Sequence, residues 1–258
     1  MDLGLKNKVV LVTGGSRGIG RGIAAAFAAE GSRIVICARG QKDIDDAVTE
    51  LRNMKADVLG LTVDVTRKEQ IDSLVKTMIG TYGTIDVLIN NAGGNKRNLF
   101  TDTTTDDWQQ IIDLNLKSHV EVSRAFLPYM IKQKSGSIIF ISSIYGRELG
   151  GPTLSIYNST KSALISLSKV MAVELAPKGI RVNSIAPGSI RFPGGSWDRR
   201  YHEDPQGIKE FVKQELPLGR FGTVEEVANV VCFIASDRAS LVTGTCLNID
   251  GCQSRSLI

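Results

Sequence analysis

Short runs of apolar residues, each of strand length, recur along the whole chain. Between them lie longer segments whose apolar residues are three and four positions apart, the spacing of an amphipathic helix. The predicted strands are residues 9–12, 34–37, 58–63, 87–90, 138–141, 182–185 and 246–249. The predicted helices are about 18–30, 42–55, 68–78, 107–133, 157–176 and 224–236, with Pro128 expected to kink the fourth.

This alternation predicts the fold class. Strands that are apolar throughout indicate a sheet covered on both faces, and strands alternating with helices indicate right-handed βαβ units. No linker rich in Pro, Gly or Ser divides the chain. We therefore predict one α/β domain over residues 1–258, a Rossmann-type doubly wound parallel sheet of about seven strands with helices on both faces.

One stretch, from Pro187 to about Gly207, shows neither pattern. A loop of roughly 20 residues inside a compact domain is typical of an active-site lid or of disorder. We predict a substrate loop or lid at about residues 188–216.

Composition narrows the class of protein. The formal charge is +4 and no run of five like charges occurs, so nucleic-acid and membrane-surface partners are not expected. No apolar run reaches the roughly 18 residues of a membrane helix, and the first residues do not resemble a signal peptide. The four cysteines lack CxxC spacing and the two histidines lie far apart, so we expect reduced cysteines and no metal site. These features favour a cytoplasmic protein that acts on a small molecule.

A glycine-rich turn follows the first predicted strand and leads into the first helix, with the sequence TGGSRGIG at residues 13–20. Glycines allow positive φ and close backbone approach, and a helix N-terminus offers unpaired amides to a pyrophosphate. The Gly-x3-Gly-x-Gly spacing differs from the common dinucleotide fingerprint, so a merely tight connection is the alternative. Its position after the first strand favours dinucleotide binding.

The end of the second predicted strand bears on the choice of cofactor. An NAD-binding protein places a carboxylate there, about 20 residues after the turn. This chain has Ala38 and Arg39, and Arg17 lies in the turn itself. Guanidinium groups bind phosphate in a bidentate manner, so we predict NADP(H) rather than NAD(H). The alternative is that the arginines are solvated, or that Arg39 pairs with one of the nearby acids Asp43, Asp45 and Asp46.

Of the five tyrosines, only Tyr157 has a lysine four residues later, Lys161. This spacing puts both side chains on one helix face, where an ammonium would lower the tyrosine pKa toward the working pH. Reduction of a carbonyl requires a proton for the developing alkoxide. Ser142 and Ser143 follow the strand at 138–141, at the sheet edge where ligands bind, and a serine there can hydrogen-bond the substrate oxygen.

Together these motifs resemble the short-chain dehydrogenase/reductase family, in its compact single-domain branch that includes 3-oxoacyl-carrier-protein-reductase-like members. The resemblance extends from about Leu5 to Asp250. The matching motifs are the turn at 13–20, Asp64-Val65, Asn90-Asn91-Ala92-Gly93, Asn115, Ser143, Tyr157 with Lys161, and Pro187-Gly188.

The resemblance implies a catalytic set. Tyr157 would be the general acid or base and Ser143 would orient the carbonyl. Lys161 would bind the nicotinamide ribose and lower the tyrosine pKa, and Asn115 would hold a water that links Lys161 to solvent. From the residues alone, Asn115 is better interpreted as a polar residue on a helix that packs elsewhere, and Tyr145 as a pocket wall.

The resemblance also implies the cofactor contacts. Asp64 and Val65 would bind the adenine, residues 91–93 would lie beside its ribose, and Pro187, Gly188 and Ile190 would cover the nicotinamide. The full predicted set is Gly14, Ser16, Arg17, Gly18, Ile19, Gly20, Arg39, Asp64, Val65, Asn91, Ala92, Gly93, Tyr157, Lys161, Pro187, Gly188 and Ile190. Family members are commonly homotetramers, so a homotetramer or homodimer is expected.

The chain departs from the family at two positions. Phe192 stands where a threonine often binds the nicotinamide carboxamide, so that contact is lost or taken by Ser189. Cys252 replaces the last glycine of the usual Asp-Gly-Gly, which bears on an oligomer contact rather than on the chemistry.

We therefore predict an oxidoreductase that interconverts a carbonyl and a secondary alcohol, more often as a reductase. A non-catalytic dinucleotide-binding or scaffolding protein is the alternative, and a methyltransferase or sugar-nucleotide epimerase is a second. The substrate stays open among oxoacyl thioesters, sugars, cyclic alcohols and steroid-like ketones. Its pocket is expected in the segment after Gly188, from the aromatic residues Phe192, Trp197 and Tyr201, with Arg191, Arg199 and Arg200 either attracting an acid or solvated.

Overall fold

The computed structural model describes residues 1–257. Its strands form a single sheet in which every neighbouring pair is parallel. The sheet order is β3-β2-β1-β4-β5-β6-β7. The strands are β1 Val9–Thr13, β2 Arg33–Ala38, β3 Val58–Thr62, β4 Val87–Asn90, β5 Gly136–Ile141, β6 Ile180–Pro187 and β7 Cys246–Ile249.

Helices cover both faces of this sheet. They are α1 Gly18–Ala29, α2 Gln41–Asn53, α3 Lys68–Tyr82, α4 Thr105–Ile112, α5 Ser118–Gln133, α6 Ser155–Leu175, α7 Ser196–Glu203, α8 Pro205–Glu215 and α9 Val224–Ala235. One apolar core packs α1, α2 and α9 against the sheet, and a second packs α3, α5 and α6 against the other face. The predicted doubly wound α/β fold is confirmed.

The order of the strands indicates where a ligand crevice lies in the sheet. Strand order runs outward in opposite directions from β1 and β4, which are neighbours in the sheet but not in sequence. In such sheets ligands bind at the carboxyl ends of the strands, where the order switches. The carboxyl ends of β1 and β4 carry Thr13 and Asn90, and β5 leads into Ser142 and Ser143.

The fourth predicted helix is more complex than its pattern indicates. Thr104 begins it with a capping box to Asp107, and α4 and α5 are joined by a π turn at Asp113–Lys117. Apolar spacing does not distinguish a π turn from a regular one, since the insertion shifts the helix face by only one residue. Pro128 lies inside α5, and the kink expected there stays a prediction.

The segment without a clear pattern contains helices α7 and α8. Helix α7 has few apolar residues, and contacts from outside the helix hold it in place. Its Trp197 ring stacks on Phe211 of α8, with centroids 4.5 Å apart, and its Asp198 accepts a hydrogen bond from the Gly194 amide. The predicted loop is therefore partly helical, and its role as a lid stays a prediction.

Two further observations concern the described residues, 1–257. No helix among them has the length and apolarity to cross a bilayer. No group of three or more His, Cys, Asp or Glu side chains among them is arranged to hold a metal ion.

Candidate active site

In the glycine turn at residues 13–20, close packing leaves no room for side chains at several positions, so that backbone atoms form the surface of the turn. Gly14 and Gly18 have φ of 64° and 55°, which favour glycine. A Cβ at Gly20 would lie 2.3 Å from the Gly14 carbonyl oxygen, so α1 starts in direct contact with the turn. Asn91 fixes the turn from β4, because its Nδ2 donates to the carbonyls of Thr13 at 2.8 Å and Gly14 at 3.2 Å.

The N-terminus of α1 suits a phosphate. Within the described chain no side chain caps this helix, and its first turn holds no acidic residue. Its first amides are therefore available to an anion, and the helix dipole favours one. The Phe192 ring lies over this point, since a Cβ at Gly18 would be 2.6 Å from Phe192 Cζ. The residue that replaces the family's threonine thus covers the start of α1.

The two arginines predicted to select the cofactor are both exposed. Neither Arg17 nor Arg39 forms an ion pair with a residue in the range 1–257, so the acids near Arg39 do not draw it away. Arg39 lies within electrostatic range of Asp64. Burial acts to raise the pKa of that carboxyl, but the hydrogen bonds from Thr66 and the charges of Arg39 and Arg67 together lower it.

The predicted adenine-binding residues follow β3. The Asp64 carboxylate accepts hydrogen bonds from the Thr66 amide at 3.0 Å and the Thr66 hydroxyl at 2.7 Å, so its orientation is set locally. Val65 is buried in the second apolar core. Both residues follow the carboxyl end of β3, and their contact with the adenine stays a prediction.

Helix α6 presents Tyr157 in its first turn and Lys161 one turn later. The Tyr157 side chain, half-buried, hydrogen-bonds Ser143 at the end of β5. The Lys161 ammonium is buried, donates to the Ile141 carbonyl at 2.8 Å, and lies 5.7 Å from the centroid of the Tyr157 ring. Ser142 donates to the Lys161 carbonyl at 2.8 Å, so it anchors α6 to β5 as a structural neighbour of Ser143.

The electrostatics of this pair differ from the expectation. Burial raises the pKa of Tyr157, while the hydrogen bond from Ser143 and the charge of Arg97 act to lower it. Burial lowers the pKa of Lys161 to about 8. The charge that acts to lower the pKa of Tyr157 is therefore that of Arg97, a residue that the sequence motifs do not single out.

Asn115 is brought to Lys161 by the π turn. Its side chain is fully buried, accepts from the Gly94 amide at 2.8 Å and donates to the Gly94 carbonyl at 2.9 Å. A Cβ at Gly93 would lie 3.3 Å from Asn115 Oδ1 and 3.6 Å from Lys161 Nζ, so all three meet at one point. The interpretation of Asn115 as packing elsewhere is wrong, because a helix with regular spacing gives no sign of the π turn.

The residues predicted to cover the nicotinamide are held by the C-terminal segment. The Gly188 amide donates to the Ile249 carbonyl at 3.0 Å, and the Ser189 amide donates to Gln253 Oε1 at 2.8 Å. Ile190 is buried and forms a bridge with Gly222. Pro187, Gly188 and Ile190 therefore occupy a fixed position beside β7.

His119 is a further buried residue beside the site that the sequence does not indicate. Its Nε2 lies 2.6 Å from the Ala92 carbonyl oxygen, and its ring stacks on Phe140. Burial, reinforced by the charge of Lys161, lowers its pKa to about 3. His119 is therefore neutral and holds the segment 91–93 in place.

The substrate side is lined by groups from two segments. The Tyr145 ring packs closely on Gly150, where a Cβ would lie 2.7 Å from its Cγ, and its interpretation as a pocket wall stays a prediction. Trp197 stacks on Phe211 and so helps to hold the segment together. Tyr201 packs under Arg191, 3.8 Å from its ring centroid, and together with Arg191 it lines an open pocket between α7, α8 and Phe221.

Comparisons with known proteins agree with this geometry. A family model described as enoyl-(acyl carrier protein) reductase matches residues 14–252. The chain is 38% identical over 247 residues to a 3-oxoacyl-[acyl-carrier-protein] reductase of Thermotoga maritima, covering 96% of this chain and 98% of the relative. It is 37% identical over 246 residues to the reductase of that name from Staphylococcus epidermidis, covering 95% and 98%.

Among solved structures, an L-sorbose reductase from Gluconobacter frateurii, described as complexed with NADPH and L-sorbose, superposes with a TM-score of 0.93. It is 33% identical and the match covers 100% of both chains. Sequence motifs, sheet order and these similarities agree, and the chain belongs to the short-chain dehydrogenase/reductase family of oxidoreductases.

Proposed function

We propose that this protein is an NADPH-dependent reductase that converts a carbonyl to a secondary alcohol, with Tyr157 as the general acid. The observation that carries the proposal is the hydrogen bond between Tyr157 and Ser143 at the carboxyl end of β5, beside the glycine turn. The named relatives, 3-oxoacyl-carrier-protein and L-sorbose reductases, support the direction of reaction.

The chain's own groups divide the proton chemistry. NADPH, when bound, supplies the hydride to the carbonyl carbon. Ser143 hydrogen-bonds the carbonyl oxygen, and Tyr157 gives its phenolic proton to that oxygen as charge develops. Because burial raises the pKa of Tyr157, the side chain is protonated at neutral pH, the form that a general acid requires. Lys161 and Asn115 then act as positioning residues, and both side chains lie beside Gly93.

The cofactor site is assigned in the same proposal. The amides at the start of α1 bind the pyrophosphate, and Arg17 and Arg39 bind the 2′-phosphate, for which both are uncommitted within residues 1–257. Asp64 and Val65 face the adenine, Asn91, Ala92 and Gly93 its ribose, and Pro187, Gly188 and Ile190 the nicotinamide. The remaining proposed contacts are Gly14, Ser16, Gly18, Ile19 and Gly20.

The test is a carbonyl panel assayed with NADPH and with NADH, for wild type and Tyr157→Phe. We expect turnover with a lower KM for NADPH, and a loss of at least about a hundredfold in kcat for Tyr157→Phe. Binding of NADPH to that variant, measured by fluorescence, is expected to persist. Wild type no faster than Tyr157→Phe on every carbonyl would favour a non-catalytic binding protein, and a lower KM for NADH would contradict the cofactor assignment.

The same proposal covers assembly and location. We propose one catalytic domain, with residues 188–216 as its lid, that assembles as a homotetramer or homodimer in the cytoplasm. The unbridged cysteines Cys37, Cys232, Cys246 and Cys252 are consistent with a reducing compartment.

A further inference from the structure

Residues 187–190, the segment proposed to cover the nicotinamide, are held by backbone hydrogen bonds at two points. The Gly188 amide donates to the Ile249 carbonyl of β7 at 3.0 Å. The Gly222 amide donates to the Ser189 carbonyl, also at 3.0 Å. Between these two points lies the amide of Ser189, a buried residue, and its acceptor is supplied by a side chain.

Gln253 supplies that acceptor. Its Oε1 accepts from the Ser189 amide at 2.8 Å, and only 8% of the residue's surface is exposed. A Cβ at Gly188 would lie 2.8 Å from the same oxygen, so the side-chain amide of Gln253 packs directly on the peptide between Gly188 and Ser189. Without this side chain the Ser189 amide would lose its acceptor in a buried place, which is unfavourable.

Gln253 is placed by a tight turn after β7. Gly251 and Cys252 have positive φ values of 60° and 67°, which reverse the direction of the chain. The Gln253 amide closes this turn by donating to the Asp250 carbonyl at 3.1 Å. The Asp250 carboxylate accepts from the Cys252 amide at 3.0 Å and from the Ser254 amide at 2.8 Å. The position of Gln253 is therefore set within its own segment.

Beyond this turn the chain is held a second time. The Glu148 carboxylate, between β5 and α6, accepts from the Arg255 amide at 2.8 Å and from the Ser256 amide at 3.1 Å. Residues 250–256, the C-terminal strap, are therefore held at both ends, and Gln253 lies between them. A side chain that is fixed in this way can set the position of the peptide that it binds.

We propose that Gln253 is a positioning residue for the cofactor, because it fixes the Ser189 peptide and with it the surface that residues 187–190 present to the nicotinamide. The inference rests on the proposed function, since it concerns the nicotinamide end of NADPH. Gln253 acts through Ser189 rather than by contact with the cofactor. Its loss is expected to weaken the binding of the nicotinamide and to leave the phosphate and adenine contacts, at the start of α1 and after β3, unchanged.

The test compares two ligands, of which one lacks the nicotinamide. NADPH and 2′-phospho-ADP-ribose share the adenine, the 2′-phosphate and the pyrophosphate, and calorimetry measures the Kd of each. In Gln253→Leu the segment must be ordered at the expense of binding, by up to the free energy of one hydrogen bond, so we expect the Kd of NADPH to rise about tenfold. The Kd of 2′-phospho-ADP-ribose is expected to be unchanged.

Further variants separate the hydrogen bond from the size of the side chain. Gln253→Glu keeps an acceptor at the same reach and is expected to retain most of the affinity for NADPH. Gln253→Asn is a milder change than leucine, but its shorter side chain does not reach the Ser189 amide, so NADPH is expected to bind more weakly. Gln110→Leu, at an exposed residue of α4, is the matched control and is expected to change neither Kd. Thermal midpoints and the binding of 2′-phospho-ADP-ribose check that each variant is folded.

Two results would overturn the inference while leaving the reductase in place. One is a Gln253→Leu variant that binds NADPH as tightly as wild type does. The other is an equal loss of affinity for NADPH and 2′-phospho-ADP-ribose, which would limit Gln253 to holding the fold together. Failure of the wild type to reduce any carbonyl above the Tyr157→Phe level would instead contradict the proposed function itself.

Discussion

The Lys161 ammonium lies in the core between β5 and α6, with 4% of its surface exposed. Its Nζ donates to the Ile141 carbonyl, and burial lowers its pKa from 10.5 to about 8. A buried cation of this kind destabilises the folded protein, since the unfolded chain hydrates the charge freely. Active sites carry such costs because the charge serves the reaction.

We expect Lys161→Met to abolish activity and to stabilise the ligand-free protein near neutral pH. The shift in the pKa of Lys161 corresponds to a gain of at most about 3 kcal/mol in unfolding free energy for the variant. Loss of the hydrogen bond to the Ile141 carbonyl makes the gain smaller. Below pH 8 the lysine is charged in both the folded and the unfolded state, so the difference in stability between Lys161→Met and wild type is constant. Between 8 and 10.5 only the unfolded state stays protonated, so wild type gains stability and the difference shrinks.

Thermal midpoints of both proteins from pH 7 to 10.5, with cofactor removed, measure this difference. Lys169→Met is the matched control, because Lys169 lies exposed on the same helix. Comparing variants cancels the buried thiols Cys37 and Cys232, whose raised pKa values act in the opposite direction above pH 9. A Lys161→Met midpoint below that of wild type at every pH would contradict the prediction.

At the scale of elements, the connection after β6 lies against the start of α1, where the cofactor phosphates are proposed to bind. Phe192 packs on the α1–α2 core while its ring lies over Gly18 at the start of α1. A phosphate bound to the first amides of α1 would therefore lie beside this ring. The sequence identifies the substitution of threonine by phenylalanine, but the position of the ring comes from the structure.

We expect Phe192→Thr to lower the KM for NADPH by roughly threefold to tenfold, which corresponds to one hydrogen bond. The threonine can hydrogen-bond the nicotinamide carboxamide, and the ring that lies over Gly18 is removed. The same variant is expected to lose thermal stability because an apolar contact is removed. KM measured at saturating carbonyl, together with a thermal midpoint, tests both effects. Phe100→Thr, at a residue that is 71% exposed, is expected to change neither. An unchanged or higher KM for NADPH in Phe192→Thr would show that the ring supports cofactor binding.

At the scale of the whole molecule, helix α6 is apolar on two sides. Its inner face packs against the sheet through Leu164, Ala172 and Leu175. On the outer face, Val170 and Val173 are 53% and 69% exposed, continuing a line from Ala163 and Leu167. A helix with two apolar faces is typical of one that packs against a further surface.

We expect light scattering to give a mass that is an even multiple of the chain mass, with α6 in the contact. The double variant Val170→Asp/Val173→Asp is expected to lower that mass at micromolar concentration, since charges opposed across a symmetric contact repel. Met54→Asp, at an exposed residue just after the end of α2, serves as the control. A monomeric wild type would contradict the expected oligomer.

The sequence by itself determined the sheet, the glycine turn and the Tyr157–Lys161 pair. These depend on local spacing: apolar runs alternate with helical periods, and residues four apart share a helix face. The family follows from the same motifs, each of which acts within a few residues of itself, whereas the order of the strands comes from the structure.

Only the tertiary structure decided which distant groups meet. Asn115 reaches Lys161 through a π turn, and the Phe192 ring reaches Gly18 from the connection after β6. Contacts between residues far apart in sequence leave no periodic pattern, because their free energy is gained only once the chain has closed around them.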